Sequence, residues 1–176
     1  MTAPTLRRAG PGDRDRLLPL LAAYYAHDAL RFDAAAMPSR LAGFLGDPSA
    51  GRAFFIEVEG QVAGYALVTF GYDLEFGGRF CLLTDLFLLP ERRRRGLGLA
   101  ALRLLEQECL GLGASALLLE VERKNAAAQA LYRRAGFRAI DRIPMAKELG
   151  RTLQGEGARP ASSAAMRPND DQSSSP

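Results

Sequence analysis

Residues 80–99, FCLLTDLFLLPERRRRGLGL, constrain the fold more than any other stretch. Phe80 to Leu89 is a nearly all-apolar run, which predicts a strand buried on both faces near the centre of a sheet. It runs into a basic turn, Arg92 to Arg95, and two glycines, Gly96 and Gly98, then open a helix from Gly96 to Leu112. In that helix Leu97, Ala101, Leu105 and Cys109 recur at i+4 steps, with Leu104 and Leu112 widening the stripe. Gly113 ends it. A strand feeding a glycine turn and a helix start is an anion site. First-turn N–H groups lack intrahelical partners and lie at the positive end of the dipole. Glycine lets a phosphate approach the backbone, and arginines add charge. The turn lacks the Gly-Lys-Ser/Thr ending of a Walker loop. Ala101 stands where a dinucleotide fingerprint has its third glycine.

The flanking segments alternate in kind. Thr5 to Ala9 predicts an opening strand. Asp13 is expected to cap a helix carrying Leu17, Leu18, Leu21 and Tyr25, and a second helix is expected over 34–45, stopped by Gly46-Asp47-Pro48. Phe54 to Glu59 and Val62 to Thr69 read as a hairpin turning at Gly60-Gln61. Ala116 to Val121 reads as another buried strand, and Asn125 to Ala135 as a helix capped by Asn125 and ended by Gly136. Phe137 to Ile140 and Ile143 to Lys147 are expected to finish the sheet. The fold class is α/β (α+β): a mixed, mostly antiparallel central sheet with helices on both faces. Residues 1–149 form the domain. Residues 150–176, rich in Ser, Pro, Gly and Ala, are expected to be a disordered tail.

Composition narrows the function. A net charge of +3 does not by itself call for nucleic acid, and the arginine run has no interleaved aromatics. The chain has one histidine, His27, and two cysteines, Cys81 and Cys109, inside apolar runs. Buried thiols are expected, and no metal site can be built. No apolar stretch reaches the roughly 18 residues of a membrane span, and no secretory h-region is seen, so the cytoplasm is the default. A hydrolase triad is remote, with one histidine and no Gly-x-Ser-x-Gly elbow.

About thirty residues after the glycine turn comes Asn-x-x-Ala-x-x-Leu-Tyr followed by Gly-Phe, met by Asn125, Ala128, Leu131, Tyr132, Gly136 and Phe137. Asn125 and Tyr132 are two helical turns apart, on nearly one face. With Arg93-Arg94-Arg95-Gly96-Leu97-Gly98, which meets Arg/Gln-x-x-Gly-x-Gly/Ala, the chain resembles the GNAT superfamily of N-acetyltransferases. The segment Gly71 to Leu89 looks most like the branch containing diamine acetyltransferases.

The resemblance implies acetyl-CoA as co-substrate. Its pyrophosphate would sit on the backbone of Arg94, Arg95, Gly96, Leu97, Gly98 and Leu99, with Arg93 opening the motif. Its pantetheine arm would lie along Leu86, Phe87 and Leu88, where the strand splays at a bulge. Tyr132 would protonate the leaving thiolate, and Asn125 would hold the pantetheine or cap its helix. Relatives often carry two acidic residues before the strand's Leu-Phe pair. Here the pair is Thr84-Asp85, and only one of two neighbours on a strand faces the cleft. Asp85 is the named base. Water, Glu75, Tyr24 or Tyr25 are the alternatives if Thr84 takes the cleft position. Asp28, Asp33, Asp73 and Glu75 are read as a possible acidic acceptor site, with Tyr24, Tyr25 and Tyr72 packing on the methylenes of a small primary amine. Protein amines, a non-catalytic acetyl-CoA-binding module and a homodimer through the strand near Ile143 stay open.

Overall fold

The structure is a computed structural model, and it describes residues 2–147. Residues 150–176, the expected tail, lie outside the described residues. Met1 to Ile140 form one compact unit. Of the second unit, residues 141–147 are described; they are exposed and carry no helix or strand.

Among the described residues are five strands and four α-helices: β1 (Thr5–Arg8), α1 (Arg14–His27), α2 (Met37–Gly46), β2 (Gly51–Val58), β3 (Gln61–Asp73), β4 (Gly78–Leu88), α3 (Leu97–Gly111), β5 (Ala116–Leu119) and α4 (Ala126–Arg134). The sheet runs β1-β2-β3-β4-β5, antiparallel except for the parallel β4–β5 pair. Both faces are covered. Phe54, Ile56, Ala66, Val68, Cys81 and Leu83 pack with Ala101, Leu102, Leu105 and Cys109 of α3, and α4 adds Leu131, Tyr132 and Ala135. Ala53, Phe55, Tyr65 and Phe87 pack with Leu17, Leu20, Leu21, Met37 and Leu41 of α1 and α2. Alternate residues of β2 thus supply opposite cores, as the pleat requires. Cys81 and Cys109 are free thiols, 0% and 3% exposed, as expected.

The local expectations fail in four places. The strand expected to be buried over Ala116 to Val121 stops at Leu119 and is half-buried, being, among the described residues, an edge strand with β4 on one side alone. Asp13 precedes α1, but its carboxylate makes no cap bond to that helix. It accepts from the Gly10 N–H at 3.0 Å and from both terminal nitrogens of Arg7 at 3.1 Å, because a short 3-10 turn over Pro11–Asp13 aims it backward. Helix α2 starts at Met37, not near 34: Asp33 accepts from the Ala36 N–H at 3.1 Å and closes a turn first, and Pro38 then suits the first helical turn. Finally, Phe137 to Ile140 and Ile143 to Lys147 form no strand. Phe137 is drawn onto the Tyr132 ring, 5.8 Å between centroids, while Ile143 and Met145 are 79% and 92% exposed, and Pro144 offers no ladder donor. The expectation of a homodimer through a strand near Ile143 loses its basis.

Candidate active site

The site begins at an irregularity in β4. Leu67 pairs with Asp85 and Val68 with Leu83, so Thr84 is an extra residue with no partner on β3. It is a β-bulge, and its Oγ1 donates to the Leu67 carbonyl at 3.1 Å. One extra residue reverses the pleat. Before it, Cys81 and Leu83 face α3; after it, Leu86 and Leu88 do, while Phe87 turns to the α1 side. Asp85 turns with Phe87 and accepts a 2.9 Å hydrogen bond from the buried Tyr65 hydroxyl. Thr84 lines the cleft.

The bulge is also where the sheet opens. β5 pairs with β4 over Phe80–Leu83 and stops at Leu119. Among the described residues, Leu86, Phe87 and Leu88 therefore have β3 on one side and no strand on the other. A cleft of about 680 Å³ fills that space, and Leu83, Thr84, Leu86, Phe87 and Leu88 form its floor.

The glycine turn closes one end of the cleft. Arg94 sits at φ 59° and Gly96 at φ 74°, both left-handed. Such turns point successive N–H groups into one concavity. The first α3 amide to find a carbonyl is Ala100, bonded to Gly96 O at 3.1 Å; among the described residues, none from Arg94 to Leu99 has a backbone partner. Arg94, Gly96, Leu97, Gly98 and Leu99 line the cleft. A Cβ on Gly98 would lie 3.2 Å from Leu131 Cδ2, so α4 packs tightly against this turn. Open amides at a helix start, arginines beside them and a splayed strand leading inward fit an elongated phosphate-bearing group such as acetyl-CoA.

The opposite wall comes from α4. Asn125 caps it, its Oδ1 accepting from the Ala128 N–H at 3.0 Å, and Tyr132 reaches the cleft two turns on. The Tyr132 phenol is held above its ordinary pKa by burial and by Asp28. Tyr24, His27 and Asp28, from the end of α1, line the third side. Tyr24 is raised by burial and by the nearby Asp85 and Asp28 carboxylates. Burial also pushes Asp85 above the usual carboxylate range, against the Tyr65 hydrogen bond. Asp28, Glu120 and Glu122 bring carboxylates to the rim.

Leu86, Phe87, Leu88, Arg93, Arg94, Gly96, Leu97, Gly98, Leu99, Asn125, Tyr132 and Tyr24 are thus brought to one cleft; Arg95 does not line it, and neither does Asp85, because Thr84 takes the cleft position and the bulge turns Asp85 onto Tyr65. Asp73 and Glu75 are not brought there either. They lie in the β3–β4 hairpin, where Asp73 accepts from the Glu75 N–H at 2.8 Å, and neither lines the cleft. Of the four carboxylates read as a possible acceptor site, Asp28 lines the cleft, together with Glu120 and Glu122, while Asp33, Asp73 and Glu75 do not. Tyr65 and His27 went unread as site residues. Tyr65 looks like a core residue in an apolar strand, and only strand pairing brings its hydroxyl to Asp85.

Comparison with known proteins gives the family and the fold. The model of the acetyltransferase (GNAT) family matches residues 16–137. Among solved structures, an integron cassette protein from the mobile metagenome of Cole Harbour Salt Marsh is 31% identical, covering 84% of this chain and 92% of that one, with TM-score 0.73. A possible acetyltransferase from Clostridium difficile 630 is 18% identical, covers 85% and 99%, and has TM-score 0.74. An aminoglycoside N-acetyltransferase in complex with CoA is 15% identical, covers 84% and 96%, and has TM-score 0.70. A search of curated proteins gives no match. The narrower resemblance to diamine acetyltransferases gains no support from these relatives.

Proposed function

Because the chain belongs to the acetyltransferase (GNAT) family and is an acetyl-CoA-dependent N-acetyltransferase, we propose that it acetylates a primary amine of a small molecule in the cleft beside β4. The observation that carries this reading is the run of open amides from Arg94 to Leu99, at the end of a cleft that also receives Tyr132.

Acetyl-CoA supplies an acetyl thioester, whose carbonyl an amine can attack. The amides of Arg94 to Leu99 would hold its phosphates, and the unpaired edge of Leu86 to Leu88 its pantetheine arm. A backbone N–H at Leu86 or Phe87 would polarise the carbonyl. An alkylamine of pKa near 10 must first lose a proton. Asp85 takes it, through Tyr24 or water, and its raised pKa makes it a better base than an ordinary carboxylate. Tyr132 keeps its phenolic proton at neutral pH and gives it to the sulfur as the C–S bond breaks; the proton shed by the nitrogen once the C–N bond has formed returns, through water, to the Tyr132 phenolate. Asp28, Glu120 and Glu122 favour a cationic acceptor.

The test is calorimetry with acetyl-CoA on wild type and Gly98→Trp. Loss of binding in a variant with unchanged circular dichroism supports the cofactor site; undiminished binding refutes it. Turnover is then measured on a polyamine, an aminoglycoside, an amino acid and a lysine peptide. Reaction with the peptide alone moves the acceptor to protein amines. Tight binding with no turnover on any of them makes the protein a binding module.

A further inference from the structure

The side chain of Arg93, which opens the glycine turn, is committed elsewhere. Its Nε donates to the Leu88 carbonyl at 2.9 Å, at the end of β4. Its guanidinium carbon lies 5.4 Å from the centre of the Phe87 ring. Its Nη1 lies 3.2 Å from His27 Nε2, at the last residue of α1. A guanidinium only donates, so His27 Nε2 must present its lone pair, with the proton on Nδ1. The His27 ring also packs against Phe87, 6.4 Å between centroids. One side chain therefore ties three pieces together: the first residue of the phosphate turn, the last carbonyl of the splayed strand, and the end of α1.

The end of α1 is not an arbitrary surface. Tyr24 and Asp28 flank His27 and line the cleft on the acceptor side. Tyr24 packs this last turn on Tyr65 and Phe87, 6.3 and 6.1 Å between centroids, while His27 makes its contacts with Phe87 and Arg93, on the side of the glycine turn.

We propose that Arg93 and His27 are positioning residues, forming a strut through which acetyl-CoA at the glycine turn orders the α1 wall where the amine binds. The inference rests on the cofactor reading above. Arg93 acts on the acceptor side and not as a phosphate ligand. A phosphate held by the amides of Arg94 to Leu99 fixes the turn, the turn fixes the Arg93 backbone, and the guanidinium carries the restraint to His27. Linkage then makes the effect reciprocal: an amine on the α1 wall tightens the cofactor by the same factor.

Hydrogen exchange with CoA as the probe tests this in full-length protein. In wild type, CoA should slow exchange both in the glycine turn, residues 94–100, and in the last turn of α1, residues 24–28, each by about fivefold or more. In His27→Ala the turn should keep its protection, while α1 loses it. His27→Gln, whose amide oxygen can accept from Arg93, should restore it. Persistent α1 protection in His27→Ala overturns the strut, and so does wild-type protection confined to the turn. No protection in the wild-type turn overturns the cofactor reading itself, and the strut with it.

Discussion

Burial holds Asp85 above the ordinary carboxylate range, while the Tyr65 hydroxyl partly offsets it by donating to the ionised form. A base must be deprotonated to work, so activity should fall as pH drops through this raised pKa. Asp85→Asn should lower kcat by at least about 10²-fold and remove that limb of the pH–rate profile. Stability runs the other way. A carboxyl whose folded pKa lies above its unfolded value contributes fully below the unfolded value, and that contribution is lost as pH rises through the folded one. Asn can still accept from Tyr65 but carries no charge. Asp85→Asn should therefore melt higher than wild type at pH 8, by roughly 2–4 °C if the buried charge costs about 1 kcal/mol, with the gap closing by pH 3. A lower melting temperature at pH 8 would show that the ionised form is the better fit. Tyr132 is the acid proposed above. Tyr132→Phe keeps the ring packing on Phe137, so kcat should fall about 10²-fold or more with acetyl-CoA affinity unchanged in calorimetry.

At the scale of elements, β4 and α4 position these groups by different means. In β4 the device is one extra residue. Thr84→Ala removes an exposed hydroxyl whose bond to Leu67 O is worth about 1 kcal/mol or less, and the backbone bulge remains. Deleting Thr84 removes the bulge. Every side chain beyond it then changes face, and Phe87, 3% exposed, leaves its core. The deletion should cost on the order of 3–5 kcal/mol, as loss of a buried aromatic does. Urea unfolding of the two variants checks the contrast, and a mild deletion would mean that β4 can absorb the slip. In α4 the device is a cap. Asn125→Ala leaves the Ala128 N–H without its acceptor and should cost about 1 kcal/mol. The same change should weaken acetyl-CoA binding, because Asn125 and Ala128 both line the cleft.

For the whole molecule, the open amides and splayed strand predict that ligand and fold are linked. CoA at 100 times its Kd should stabilise the protein by about 2.7 kcal/mol, seen as a rise in melting temperature that Gly98→Trp abolishes. Much of this organisation was legible in the chain. The glycine turn, the α3 stripe and the Asn125 cap are local patterns, each set by residues within a turn or two of one another. The two-sided sheet followed from runs apolar at successive positions. The resemblance implied a bulge in this strand but not its position: in a nearly all-apolar run the alternation that would locate an extra residue is invisible, and only pairing with β3 shows that Thr84 is unmatched. The expected final strands failed because their apolar residues make a strand pattern without showing a partner edge to bind. Asp73 and Glu75 looked like site residues by charge, but the hairpin carries them away from the cleft.

The sequence by itself determined the glycine turn, the helix that follows it and the family-like pair of motifs, because these depend on short-range steric and hydrogen-bonding rules. The tertiary structure alone decided which way Asp85 points, that Tyr65 holds it, and that Arg93 reaches His27. Those contacts join residues 20 and 66 positions apart, and over such separations strand register and packing, not local pattern, choose the neighbours.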